Sequence, residues 1–152
     1  MHQKTREKLL KLGISQISGG SRTSVGGYVN PEPEEENSAQ FDISETRTLD
    51  EVVNWLIEMG YIPSFCTACY RAGRTGDCFM SLLKSGEIVN CCQPNSLITL
   101  KEYLEDYASP DTKQKGEALI AKEMQTVPNE KVREKALEYL NEIQNGKRDF
   151  RF

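Results

Sequence analysis

The sequence is short of basic charge and of long apolar runs, and each shortage excludes a class of protein. It has 19 Lys and Arg against 23 Asp and Glu, which gives a net charge of −4. Proteins that bind nucleic acid need a clustered basic face, so nucleic acid is not an expected partner. No run of about 18 apolar residues is present, so no membrane-spanning helix is expected. The start of the chain is charged, which excludes a secretory signal and favours a cytoplasmic protein.

The cysteines form an uneven group. Five are present, all of them between positions 66 and 92. An odd count without an export signal argues against a disulfide framework. Cys66 and Cys69 make a Cys-x-x-Cys pair, Cys91 and Cys92 are adjacent, and Cys78 falls in a predicted helix as a packed thiol. Thiols clustered in this way predict metal binding more than cross-linking.

Hydrophobic periodicity predicts an α/β chain. The order of predicted elements is a helix over 5–12, a strand over 14–18, a glycine-rich loop over 19–28, an acidic excursion over 30–46, a helix over 48–60 and a strand over 61–65. Thr48 and Glu51 form a capping box, and Gly60 ends that helix. Helices that alternate with strands are typical of parallel sheets and barrels. We therefore expect residues 1–74 to be a C-terminal barrel segment of two β/α units.

Residues 75–152 show helical spacing of apolar side chains. The predicted helices cover 77–84, 97–107, 111–125 and 128–143. Their aromatic and methionine residues are most simply core or interface residues. This second region is expected to be mostly helical.

The thiol spacing suggests a particular kind of metal site. The Cys-x-x-Cys pair follows the second predicted strand, and parallel folds collect ligands beyond the carboxyl ends of their strands. Adjacent cysteines point in different directions, so one of Cys91 and Cys92 is expected to join the pair. Three thiolates favour an iron–sulfur cluster with one iron free. Three alternatives remain. They are a zinc site, which would need four ligands, a redox-active thiol pair, and thiols that are simply buried.

Charged and polar side chains flank these candidates. Arg71 and Arg74 follow the thiol pair and either balance the charge of a thiolate-ligated cluster or pair with acids such as Asp77. In the glycine-rich loop, Ser21 and Arg22 provide donors that suit the carboxylate of a small molecule. An ordinary glycine-rich turn explains that loop equally well. The loop lacks the spacing of a phosphate-binding loop.

Several stretches make the sequence recognisable. They are GGSRTSVGGY, FDISETRTLDEV, YIPSFCTACYRAGRTG, PNSLITLKEYLEDYAS and the closing GKRDFRF. Together they resemble the C-terminal part of the HydG family, the radical S-adenosylmethionine tyrosine lyases that mature [FeFe]-hydrogenase. The related ThiH family of thiamine biosynthesis resembles the glycine-rich and strand segments without the C-terminal cysteine motif, and it is an alternative relative.

The resemblance implies a fold, a cofactor and site residues. The fold would be the last strands and helices of a radical S-adenosylmethionine (β/α)-barrel, followed by a helical auxiliary-cluster region. The Cys66-x2-Cys69-x22-Cys92 spacing places these residues on an auxiliary 4Fe–4S-type cluster with a labile iron. That cluster would help to form the CO and cyanide ligands of the hydrogenase. Ser21 and Arg22 would bind substrate carboxylate, and the partners would be a tyrosine-derived small molecule and hydrogenase maturation proteins.

One departure limits what the chain is expected to do alone. No Cys-x3-Cys-x2-Cys motif occurs in these 152 residues, so S-adenosylmethionine would act only through a missing N-terminal region. Carbon–carbon lyase activity is expected of a longer enzyme and not of this chain by itself. Apolar surface left exposed on such a fragment favours self-association. The competing hypothesis is a zinc-stabilised or metal-free helical interaction module without catalysis.

Overall fold

Helices make up the regular structure of the described residues. The computed structural model describes residues 3–22, 27–29 and 47–152. In chain order its helices are α1 (Gln3–Lys11), α2 (Leu49–Glu58), α3 (Ala68–Arg71), α4 (Gly76–Ser85), α5 (Val89–Asp106), α6 (Pro110–Met124) and α7 (Glu130–Gln144). The acidic excursion over 30–46 and the centre of the glycine-rich loop lie outside the described residues. None of the described helices is both long and apolar enough to cross a membrane.

The expected α/β architecture is wrong. Within the three described ranges no residue forms a β-strand, and both predicted strands, 14–18 and 61–65, have irregular backbone. Ile14 and Ile17, the apolar residues of the first predicted strand, are 47% and 36% exposed. A strand is stabilised by hydrogen bonds to a neighbouring strand, and alternating side chains alone do not provide one. The barrel interpretation of residues 1–74 rested on these two strands and is incorrect.

Helix α2, Leu49–Glu58, lies within the predicted range 48–60 and has the end signals that the sequence predicted. The backbone N–H of Thr48 donates to Glu51 Oε2 at 2.7 Å, and the N–H of Glu51 donates to Thr48 Oγ1 at 3.2 Å. These reciprocal bonds are the predicted capping box. At the other end Gly60 adopts a φ of 80°, and Tyr61 N–H donates to the carbonyl of Leu56 at 2.9 Å. Both predictions are confirmed.

The chain divides into two compact units, Met1–Val52 and Val53–Phe152. The second unit is built around α5, which packs against α6 and α7. Leu97, Leu100 and Leu104 lie on one face of α5 and are buried. Gly116 of α6 permits a close approach there, since a Cβ at that position would lie 2.5 Å from Leu104 Cδ1. The other core residues include Val53, Ile57, Tyr103, Leu119, Ile120, Met124, Val127 and Ala136. This packing fixes α5 in place.

Helix α5 starts earlier than predicted. It extends back to Val89 and contains Pro94, which precedes the predicted helix over 97–107. A proline in a helix has no N–H to offer the carbonyl four residues before it, here that of Asn90. Pro94 is buried, so apolar packing offsets part of the cost of that missing hydrogen bond. Cys91 and Cys92 therefore stand in the first turn of α5.

A cluster of charged side chains joins α5 to α6 beside this core. The ammonium of Lys101, 5% exposed, donates to Glu105 at 2.8 Å and to Glu117 of α6. Lys113 donates to the second oxygen of Glu105 at 2.7 Å. The hydrogen bonds from Lys101 and then Lys113 hold the pKa of Glu105 below its ordinary value of 4.5. The carboxylate of Glu105 is therefore favoured by folding.

The stability of the second unit should depend on the charge of Glu105. A carboxyl whose pKa is lowered by folding stabilises the folded state above its unfolded pKa, and this stabilisation is lost as the pH falls through the folded pKa. Glu105→Gln should cost about 1 kcal/mol at pH 7, and the difference from wild type should shrink below pH 4.5. Urea unfolding at several pH values measures this effect. Glu134→Gln, an exposed change on α7, is the matched control, and an equal loss in both variants would contradict the assignment.

Candidate metal centre

The cysteines are distributed over three segments of the second unit. Cys66 lies two residues before α3, Cys69 lies within α3, and Cys91 and Cys92 lie near the start of α5. All are free thiols; Cys92 is exposed and the other three are half-buried. Cys78 was expected to be a packed thiol, and this is wrong, because it is exposed on α4. Helix α4 buries none of its residues, so its apolar side chains do not enclose the thiol.

Electrostatic coupling places four of the thiols in one neighbourhood. Partial desolvation raises the pKa of the Cys92 thiol even though the residue is exposed, and the negative charges of Cys69, Cys66 and Cys91 raise it further, in that order. Charge effects between partly exposed groups fade over about 10 Å. We call Cys66, Cys69, Cys91 and Cys92 the thiol cluster. It contains all three of the predicted metal ligands together with Cys91.

The thiol cluster has suitable donors but does not form a finished metal site. Among residues 3–22, 27–29 and 47–152, no three Cys, His, Asp or Glu side chains are arranged to hold a metal ion as they stand. Thiolates are soft ligands that select iron–sulfur clusters and zinc. The sulfur of Cys66 also accepts a backbone hydrogen bond, from the N–H of Ala68 at 3.4 Å. The donor chemistry therefore fits an iron–sulfur group, and the choice of Cys66, Cys69 and Cys92 as ligands stays a prediction.

The two arginines that follow Cys69 have different partners. Arg74 Nη1 donates to Cys91 Sγ at 3.3 Å, and the positive charge of Arg74 offsets a small part of the rise in the pKa of Cys92. Arg71 forms a two-pronged pair with Asp149, with Nη2 to Oδ2 at 2.8 Å. Arg74 is thus the cation that belongs to the thiol cluster. Arg71 pairs with an acid, as one of the two interpretations of the sequence had it, but the acid is Asp149, which is distant in sequence, and not Asp77.

A C-terminal segment, residues 149–152, lies beside the cysteines and was missed by sequence reasoning. Phe152 N–H donates to Asn95 Oδ1 at 2.9 Å, and Asn95 Nδ2 returns a bond to the Phe152 carbonyl at 3.3 Å. Arg74 Nη2 donates to the same carbonyl. Asp149 has a φ of 71° and its N–H donates to Glu102 at 2.7 Å. The charged and aromatic residues of GKRDFRF were a signal that this segment makes specific contacts. The sequence pattern alone does not show which residues it contacts.

A small pocket separates this segment from Cys66. Its volume is about 90 Å³. Polar and charged groups dominate its wall, notably Thr67, Thr99, Glu102, Arg71 and Asp149. Cys66 is the member of the thiol cluster that lines it. A group bound at the thiol cluster would therefore have a polar space next to one of its ligands.

The predicted carboxylate binders belong to the first unit. Ser21 and Arg22 are both half-buried. The backbone N–H of Arg22 donates to the hydroxyl of Tyr28 at 3.1 Å, a contact within the glycine-rich loop. Residues 23–26 of the loop lie outside the described residues. The role of Ser21 and Arg22 in binding a carboxylate stays a prediction.

Comparisons with known proteins identify a relative with the same backbone path. The family model of the Biotin and Thiamin Synthesis associated domain matches residues 1–62. A comparison with curated protein sequences gave no match. Among solved structures, the crystal structure of HydG, a maturase of the [FeFe]-hydrogenase, is similar with 47% sequence identity and a TM-score of 0.90.

The extent of that similarity differs between the two chains. It covers 100% of this chain and 32% of the HydG chain, so this chain spans about a third of its relative. Identity at that level along the entire chain, with the same path of the backbone, is far above what a shared helical fold alone produces. The resemblance inferred from the sequence is therefore confirmed: over its whole length this chain is a relative of the C-terminal part of the hydrogenase maturase HydG.

Proposed function

We propose that this chain is the auxiliary-cluster region of a HydG-like maturase, in which Cys66, Cys69 and Cys92 hold an iron–sulfur cluster. The observation that supports this most directly is the thiol cluster, in which Cys92 interacts electrostatically with both cysteines of the Cys-x-x-Cys pair. Identity of 47% to a hydrogenase maturase over the whole chain supports the same assignment.

The proposed role follows from the number of ligands. A cluster held by three protein thiolates leaves one iron able to take an external ligand, which is the chemistry such a group supplies when bound. The thiols themselves provide the attachment, Arg74 provides a positive charge beside them, and the polar pocket next to Cys66 gives a small ligand room to approach. We propose that the wider enzyme uses this region to assemble CO and cyanide on iron for [FeFe]-hydrogenase.

Further parts of the activity are proposed for a longer protein. Tyrosine cleavage by a S-adenosylmethionine radical needs a Cys-x3-Cys-x2-Cys motif, and these 152 residues contain none. The proposed substrate is a tyrosine-derived small molecule, and the proposed recipients are hydrogenase maturation proteins. Ser21 and Arg22 are the proposed carboxylate-binding residues of that wider enzyme.

Zinc is the second candidate, and one observation favours it. The thiol cluster has four members, the number that a structural zinc site takes. Against zinc stands Arg74, whose Nη1 is 3.3 Å from Cys91 Sγ. A cation at that distance competes with a metal ion for the same sulfur, so Cys91 is the least available of the four.

Anaerobic reconstitution of the 152-residue chain tests the proposal. The purified apoprotein is incubated with ferrous salt and sulfide, and separately with zinc, and is then desalted. We expect iron and sulfide to co-purify with the chain, with broad visible absorbance that bleaches on reduction and a paramagnetic signal in the reduced state. Zinc bound in preference to iron and sulfide would favour the structural alternative. A chain that retains neither metal would contradict both and leave a metal-free helical module.

A further inference from the structure

We propose that Arg74 is a positioning residue that holds the Cys91 thiol away from the metal and thereby leaves Cys92 as the third ligand. This inference rests on the proposed function and adds to it the reason why one of two adjacent cysteines is used. Arg74 contacts both the Cys91 thiol and the C-terminal segment.

Arg74 holds Cys91 directly. Its Nη1 donates to Cys91 Sγ at 3.3 Å, across 17 positions of sequence. The Nε of Arg74 is shielded from solvent and has no hydrogen-bond partner among the described residues, so part of the guanidinium is enclosed by protein. An enclosed guanidinium is fixed in orientation by the bonds that its remaining nitrogens make. Cys91 is therefore bound by a group that cannot easily turn away.

A second anchor fixes the other side of the guanidinium. Arg74 Nη2 donates to the carbonyl of Phe152. The side chain of Asn95 makes two hydrogen bonds to Phe152. Asn95 Nδ2 donates to the main-chain oxygen of Phe152 at 3.3 Å, and the N–H of Phe152 donates to Asn95 Oδ1 at 2.9 Å. Asn95 is 2% exposed and lies on α5 one turn after the cysteines. The C-terminal segment thus connects Arg74 back to the helix that carries Cys91.

Cys92 has the opposite surroundings. It is exposed, whereas Cys91 is half-buried. The negative charges that act on it most are those of Cys69 and Cys66, ahead of the adjacent Cys91. Successive residues of a helix point about 100° apart, so a bond that fixes Cys91 on Arg74 leaves Cys92 directed elsewhere. The two thiols are thereby given separate roles.

The test asks whether Cys91 can replace Cys92 once Arg74 is removed. Iron and sulfide content after anaerobic reconstitution is compared for wild type, Cys92→Ala, and Cys92→Ala combined with Arg74→Gln. We expect Cys92→Ala to lose the cluster and the double variant to regain several-fold more iron and sulfide than Cys92→Ala alone. A triple variant that also carries Cys91→Ala should lose it again. A substitution that only weakened the fold would not produce such a gain.

Matched controls separate this effect from a general loss of positive charge. Cys92→Ala combined with Arg71→Gln removes an arginine whose partner is Asp149, and it should bind no more iron than Cys92→Ala. Far-ultraviolet circular dichroism verifies that each variant is folded. If the Arg74→Gln variant does not fold, Arg74→Lys replaces it, because a lysine cannot donate to two acceptors through a planar fork. That variant should also show a gain.

The outcomes are distinguishable. If wild type loads a cluster and the double variants gain nothing over Cys92→Ala, the role of Arg74 is wrong while the proposed function stands. Full loading of Cys92→Ala with Arg74 intact would also overturn it, since Cys91 would then not be withheld. If wild type binds no iron and sulfide, the proposed function fails and this inference fails with it.

Discussion

Replacing Cys69 with alanine is expected to abolish iron and sulfide binding, whereas replacing Cys78 is expected to leave it unchanged. Cys69 lies in α3 and its charge acts on Cys92 more than that of any other thiol. Cys78 is exposed on α4, and the main influences on the pKa of Cys92 are those of Cys69, Cys66, Cys91 and Arg74. The change removes one of three thiolate ligands. Water could take the empty position, but it binds the iron of such a cluster more weakly than a thiolate does. The pair of variants therefore changes the same residue type inside and outside the thiol cluster.

Iron and sulfide per chain, together with the visible spectrum, provide the measurement. Both variants should keep the helical content of wild type, because neither residue belongs to the core around α5. Equal loading of the two variants would show that the Cys-x-x-Cys pair does not hold the cluster. Loss of the cluster in Cys78→Ala would place that thiol in the site, against its exposed position.

Leu100→Ala is expected to be the most destabilising of the changes considered. Leu100 is 0% exposed and lies in the centre of α5 within the core. Removing a buried leucine side chain and leaving a cavity typically costs 2–5 kcal/mol, roughly a third of the stability of a small domain. Urea unfolding followed by circular dichroism measures the loss. The cluster content should fall as well, since α5 also positions Cys92.

Leu137→Ala is the matched control for this change. It removes the same atoms from α7, but Leu137 is 44% exposed, so its loss should cost less than about 1 kcal/mol. Both variants keep every cysteine. Similar unfolding free energies for the two would indicate that the packing of α5 is not what stabilises the second unit.

The helices could be predicted because their signals are local. The capping box of Thr48 and Glu51, the glycine at position 60 and the spacing of leucines along α5 each act within one or two turns of a helix. The strands could not be predicted in the same way. Alternation over 14–18 and 61–65 indicates a strand only where another strand lies beside it, and none does in the described ranges.

The candidate site was likewise predicted only in part from the sequence. The resemblance and the spacing of Cys66, Cys69 and Cys92 selected the thiols from the sequence. Which arginine accompanies them could not be decided, because Arg71 and Arg74 are three positions apart and chemically identical. The fold separates them, since the C-terminal segment brings Asp149 to one and the start of α5 brings Cys91 to the other.

The sequence by itself determined the family resemblance, the approximate positions of the main helices and the residues whose chemistry suits a metal, because these depend on residue identity and on spacing along the chain. The tertiary structure decided that the regular structure of the described residues is helical, that Cys91 and Cys92 stand on a helix, that Arg74 contacts Cys91, and that the C-terminal segment contacts Arg74 and Asn95. Those features depend on contacts between residues far apart in sequence, such as position 74 with position 91 and position 95 with position 152. A local pattern contains no information on which distant partner a side chain will meet, so only the packed structure could show it.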